Sequence, residues 1–164
     1  MTTIHQAREA YVLGADEGGA IWLLGDLHVW KATGVATQGA YALMEASVAP
    51  GGEPPPHIHH HEDEAWYVLE GELTFTVGDR TLQAQAGSFV FAPKDIPHSF
   101  TVRGPGPARM LAVVSPAGFE GFSEEAGRPA ETLTAPPPTA PDFEKLAALA
   151  TKYGLELVGR PADH

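Results

Sequence analysis

Residues 51–71, GGEPPPHIHHHEDEAWYVLEG, limit the architecture more than any other stretch of the chain. His57 and His59 stand two positions apart, so on an extended strand both imidazoles leave the backbone on one face. Such a strand can offer both rings to one metal ion. Acids follow directly at Glu62, Asp63 and Glu64, and one more histidine, His98, stands in a second stretch of similar character. Three histidines and one carboxylate suffice to hold a divalent transition metal with positions open for water, dioxygen or substrate.

The rest of the chain supplies the strands that such a site needs. The 18 glycines and 15 prolines are spread through it and separate many short apolar runs, the pattern of an all-β domain. Residues 20–30 read as one or two strands around Gly25-Asp26. Residues 31–39 read as a turn-rich connection. Residues 40–49 read as a strand with Ala40, Ala42, Met44, Ala46 and Val48 on one face. Further strands are expected over 73–77, 80–85, 88–92, 97–102 and 108–115, with Gly78-Asp79 as a hairpin turn. After Pro116 the character changes. A proline-rich linker at 135–141 leads to a helix over 142–153. Phe143, Leu146, Ala147, Ala150 and Tyr153 fall on its apolar face, Asp142 suits its start and Gly154 its end. At 164 residues the chain is sized for about one domain: a barrel over 1–120, then linker and helix over 121–164 packing on it.

Several function classes fall away. With no cysteine there is no thiolate zinc site, iron–sulfur cluster or cysteine nucleophile, so any metal is held by histidine and carboxylate. A net charge of −11 disfavours nucleic acid and anionic membranes as partners. The first residues lack the basic start and apolar run of a signal peptide, and no stretch has the length of a membrane span. A soluble cytoplasmic protein is the expectation.

Gly51, His57, His59, Glu64 and Gly71, followed by Gly87, Pro93 and His98, resemble the two sequence motifs of the cupin superfamily. The first motif matches throughout. The second departs at Asp95, usually glycine, and at Val102, often asparagine; neither is a ligand position, and aspartate tolerates the turn conformation. The resemblance implies a small double-stranded jelly-roll barrel whose metal ligands are His57, His59, Glu64 and His98. Strand parity agrees with it. An acid at an odd offset from His59 reaches the same face only across a break, which HHED at 60–63 supplies. Of the three acids, Glu64 begins the inward alternation Glu64, Trp66, Val68, whereas Asp63 would turn Ala65, Tyr67 and Leu69 inward. His60 and His61 read as solvated loop residues, with His61 sharing the parity of His57. His5, His28 and His164 stand alone and read as ordinary polar residues.

The ligand set suits Fe, Mn, Ni, Co or Zn and does not choose among them. The expected substrate pocket, Trp66, Val68, Phe75, Phe100 and Met110, is apolar, and no basic residue is evident inside the barrel. A neutral, largely aromatic substrate that reaches the metal through oxygen fits such walls better than a carboxylate or phosphate. Phe119 and Phe122 read either as the barrel mouth or as packing for the C-terminal segment, with packing favoured. Within the superfamily, the run from Pro55 to Phe75 and the tail SPAGFEGF resemble bacterial quercetin 2,3-dioxygenase-like proteins. That resemblance implies that a flavonol hydroxyl meets the metal, dioxygen adds, and the heterocycle opens with loss of carbon monoxide, Glu64 serving as ligand and proton acceptor. A Lewis-acid isomerase, cyclase or hydrolase would use the same site without dioxygen, and a non-catalytic binding cupin would show no turnover. A homodimer is expected from the resemblance and from the need to cover sheet edges.

Overall fold

In the computed structural model, which describes residues 8–137 and 139–159, the alternating runs become strands whose burial follows their parity. His5 and His164 lie outside the described residues. In chain order the elements are β1 (Gly19–Leu23), β2 (Asp26–Ala32), α1 (Gly34–Thr37), β3 (Ala42–Val48), β4 (His57–His59), β5 (Asp63–Glu70), β6 (Glu72–Val77), β7 (Arg80–Gln85), β8 (Phe89–Ala92), β9 (His98–Arg103), β10 (Ala108–Ser115), α2 (Phe119–Ala126), β11 (Arg128–Pro129), α3 (Phe143–Lys152) and β12 (Leu155–Leu157). The strands form a sheet ordered β11-β1-β2-β3-β10-β5-β8 and a second ordered β12-β4-β9-β6-β7. This is the double-sheet jelly roll with a C-terminal helix, and every strand pairing in it is antiparallel. No helix among the described residues is long and apolar enough to cross a membrane.

β3 shows how the sequence sets the layers. Ala42, Met44, Ala46 and Val48 are buried, whereas Leu43, Glu45 and Ser47 are only partly so. Across β10, Met44 aligns with Ala112, which in turn aligns with Trp66 of β5, so three strands contribute one inward layer. The core between the sheets is completed by Leu73, Phe75 and Val102 from the other side. Gly71 joins β5 to β6 at φ 89°, and a Cβ there would sit 2.9 Å from the Ala108 backbone, so both conformation and space demand glycine. Asp95 holds the left-handed conformation expected of it, at φ 68°.

The structure departs from the sequence reading in several ways. Phe119 opens a two-turn helix, α2, where no helix was expected, and residues 34–37 of the turn-rich connection form a single turn, α1. β12, three residues long, joins β4 at the sheet edge, with Leu155 opposite His59 and Leu157 opposite His57. α3 begins at the expected cap, where Asp142 accepts from the Lys145 amide at 3.2 Å. Its buried residues are Leu146 and Ala150, with Leu149 and Tyr153 packed beside them; Ala147 is exposed. Leu23, Phe122 and Leu155 meet this face in a second apolar cluster beneath α2 and α3.

Candidate metal centre

β4, β5 and β9 bring one donor atom each from His57, His59, Glu64 and His98 within 4.8 Å of one another. His57 and His59 share a face of β4, and β4 pairs with β9 so that His57 lies opposite His98. The loop at 60–62 breaks the chain between β4 and β5, which lets Glu64 enter from the other sheet. The ring centroids of His57 and His98 are 4.5 Å apart, and the rings of His59 and His98 are parallel within 2°. Glu64 Oε2 is 2.9 Å from His59 Nε2 and 3.2 Å from His98 Nε2.

Each imidazole is held from behind by its other nitrogen. His57 Nδ1 donates to the Pro55 carbonyl at 2.8 Å, His98 Nδ1 to the Ile96 carbonyl at 3.3 Å, and His59 Nδ1 to the Glu62 carboxylate at 2.5 Å. Occupying Nδ1 leaves Nε2 as the inward donor, the arrangement that orients histidine towards a metal. His59 Nε2 is buried and has no hydrogen-bond partner, because its contact with Glu64 is out of line. One orphaned inward nitrogen, two further inward-facing histidines and a carboxylate fit a divalent transition metal.

Glu62 was weighed in the sequence only as a rival ligand. It is 3% exposed and serves as the carboxylate behind His59. Its signal was an acid three positions after a ligand histidine. Asp63 points outward and accepts from the Lys94 amide at 2.9 Å, while the Asp95 amide donates to the His59 carbonyl at 2.8 Å, so both tie the β8–β9 turn to the ligand strands. His60 is exposed and bonds Asp95 and Glu156; His61 is exposed and lies against Gly154.

The electrostatics of the cluster are uneven. Burial, with His98 and His59 adding to it, pushes His57 down to about 3. Burial acts downward on His59 too, but the Glu64 charge and the Glu62 hydrogen bond outweigh it and raise it to about 9. Burial would raise Glu64, yet the His59 charge beside it and the hydrogen bond from His98 hold it below the usual carboxylate range. At neutral pH Glu64 is therefore a carboxylate, His59 an imidazolium and His57 neutral.

The cluster opens on a cavity of about 70 Å³. Trp66, Phe100 and Met110 line it, with Met44 and Ala46. Val68 and Phe75, also expected in the pocket, are not among its lining residues; both are fully buried, Phe75 packing on Trp66 at 5.0 Å and on Phe100 at 5.5 Å. Phe119 and Phe122 do both things considered for them: they stack on each other at 5.7 Å and they line the cavity, which Leu146 and Leu155 help to close. No lysine or arginine lies among the described lining residues. Asp26 and His28 do, and His28 is no ordinary surface histidine: it is 3% exposed and bonded to Ser123.

Comparison with known proteins agrees with this geometry. The Cupin domain family matches residues 44–114. Over 131 residues the chain is 27% identical to the quercetin 2,3-dioxygenase of Bacillus subtilis, taking in 80% of this chain and 39% of that protein, so it spans about two-fifths of that relative's length. It is 35% identical over 78 residues to an uncharacterized protein of Streptomyces coelicolor, covering 43% of this chain and 74% of that one. Among solved structures, the polyketide cyclase RemF from Streptomyces resistomycificus superposes with a TM-score of 0.50 at 29% identity, over 61% of this chain and 69% of that one.

Proposed function

The chain belongs to the cupin family and resembles quercetin 2,3-dioxygenase-like proteins, and on that premise we propose that it is a metal-dependent dioxygenase for a neutral, oxygen-bearing aromatic substrate of the flavonol kind. The observation that carries this reading is the pairing of four converging ligands with a cavity wall free of lysine and arginine among the described residues. Substrates recognised by charge, such as carboxylates and phosphates, would want a basic side chain there in addition to the metal site.

His57, His59, His98 and Glu64 would hold the metal, whether Fe, Mn, Ni, Co or Zn. Bound there, such an ion supplies a Lewis-acid centre and, for the redox-active members, a route to dioxygen. Glu64 receives the substrate hydroxyl proton, being the one carboxylate among the four converging ligands. Trp66, Phe100 and Met110 exclude water and seat the ring. The cavity, about 70 Å³, is well below the roughly 300 Å³ at which small-molecule pockets begin, so a flavonol enters only if lining elements such as α3 and β12 give way. In this reading the barrel over 1–120 is the body of the enzyme and 121–164 its cap. A second reading, a Lewis-acid cyclase that uses no dioxygen, is favoured by the likeness to RemF.

Cytoplasmic residence and a homodimer belong to the same proposal. The dimer is supported by the exposed aromatics Phe89 and Phe91 on the edge strand β8, beside exposed Tyr67 of β5. Light scattering on the purified protein tests it, and a monomeric mass removes it.

For the reaction, apo-protein is loaded separately with Fe, Mn, Co and Ni, quercetin is added, and its absorbance is followed with and without oxygen. Oxygen-dependent bleaching in a loaded sample is the expected result. No change with any metal overturns the dioxygenase.

A further inference from the structure

The cavity has a second polar wall. On β2, Asp26 and His28 are buried and line the cavity beside the ligands, exposed by only 5% and 3%. His28 Nδ1 lies 2.9 Å from the Ser123 hydroxyl, and its Nε2 lies 3.8 Å from Asp26 Oδ2. These are the residue types of a hydrolytic triad, but Ser123 is fully buried on α2 and is not among the cavity-lining residues, so its hydroxyl pins the ring and attacks nothing. The remaining oxygen, Asp26 Oδ1, is buried and has no hydrogen-bond partner.

An unpaired buried carboxyl oxygen costs stability, and folded chains satisfy nearly all such atoms. Where one is kept on a cavity wall, the cavity's occupant is the natural partner. The surroundings say what kind of occupant. Met44 and Ala46 on β3, next to β2, and Met110 on β10 beyond it line the cavity with apolar surface. Phe119 bridges the two polar regions, its ring 6.2 Å from His28 and 5.4 Å from His59. The cavity thus has an apolar middle and two polar ends.

We propose that Asp26, oriented by His28, is a second anchor for the substrate: it binds a hydroxyl or carbonyl oxygen at one end of an apolar molecule whose other oxygen reaches the four ligands. The inference rests on the small-molecule reading above and narrows it to substrates with two separated oxygen functions. Burial raises the Asp26 carboxyl above its ordinary range, with His28 opposing the rise and Glu53 adding to it. A hydroxyl satisfies the group in either form: it donates to a carboxylate, and it both donates to and accepts from a carboxylic acid.

The test uses phenol and toluene, one shape with and without the oxygen, titrated by calorimetry into the full-length protein without metal. Wild type binds phenol about tenfold more tightly than toluene, the worth of one hydrogen bond to a group otherwise unpaired. In Asp26→Leu the two probes bind equally and the variant melts no lower than wild type, because an unsatisfied group has been removed. Asp26→Ala gives the same binding result should leucine not be accommodated, and Asp26→Asn, which still donates and accepts, restores the preference. Equal binding of the probes to wild type, no binding of either, or a preference that survives in Asp26→Leu or Asp26→Ala overturns the proposal. A protein that prefers phenol but fails to bleach quercetin whichever metal is loaded keeps this anchor and loses the dioxygenase. One that bleaches quercetin without the preference does the reverse.

Discussion

The two polar ends of the cavity are built on opposite terms. At the ligand end each imidazole is braced through Nδ1, by Pro55, Glu62 or Ile96, so that its free nitrogen faces inward. At the Asp26 end a single hydrogen bond from α2 steadies His28, and one carboxyl oxygen has no partner. Bracing suits donors that must meet an ion in fixed geometry, where a small displacement costs affinity. A single unpaired acceptor suits a ligand that brings its own hydrogen bond and then leaves. The contrast separates what the fold holds permanently from what it leaves for an occupant.

The contrast breaks first if the braced end is not a metal site. Glu64→Ala combined with His98→Ala should abolish metal content by elemental analysis, while leaving the phenol preference of the Asp26 end unchanged. Full metal retention would mean that other residues hold the ion. Glu62→Gln tests the bracing itself. It should weaken metal affinity about 10- to 100-fold in competition with a chelator, with one ion still bound at saturation. An unchanged affinity would reduce Glu62 to a packing residue.

Next comes pH. His59 is raised to about 9, so its contribution to stability is whole below its unfolded value near 6.5 and is lost as pH rises through 9. Glu64 is depressed, so its share is present above roughly 4.5 and disappears as pH falls. His57, lowered to about 3, must stay neutral to fold, which takes stability away below roughly 6.5. Metal-free protein should therefore melt lower on both sides of neutrality, by up to about 3 kcal/mol on the alkaline side. Metal should flatten that alkaline limb and release about one proton per ion at neutral pH, read by calorimetry in two buffers of different ionisation enthalpy. A flat metal-free profile would contradict the charged His59–Glu64 pair. The smallest effect is expected at Asp95→Gly. Relief of the left-handed backbone offsets the lost contact with His60, so stability should shift by less than about 1 kcal/mol. A loss of several kcal/mol would show that the Asp95 side chain braces the ligand end as well.

These two ends were also unequally legible in the sequence. The ligand end announces itself locally: two histidines at strand period, a break, an acid that restarts the alternation, and glycines where the chain must turn. β3 was legible for the same reason, its small residues alternating without interruption. The Asp26 end has no local signal. Asp26 and His28 sit in a strand whose residues 26 to 30 are all buried, because the sheet's inner face meets the barrel core while Trp22, Leu27 and Val29 pack on its other side. Whether a lone histidine there is solvated or enclosed is decided by α2, far along the chain. β12 escaped notice because three residues cannot display a period, and its partner strand is equally short.

That short pairing links the far end of the described chain to the strand that carries His57 and His59. The backbone of Leu155 lies opposite His59 and that of Leu157 opposite His57, so whatever stiffens the ligand strand stiffens the tail strand with it. Metal loading should then slow amide exchange at residues 155–157, none of which offers it a donor. The tail becomes a remote gauge of occupancy, and by reciprocity loosening the tail would loosen the hold on the metal.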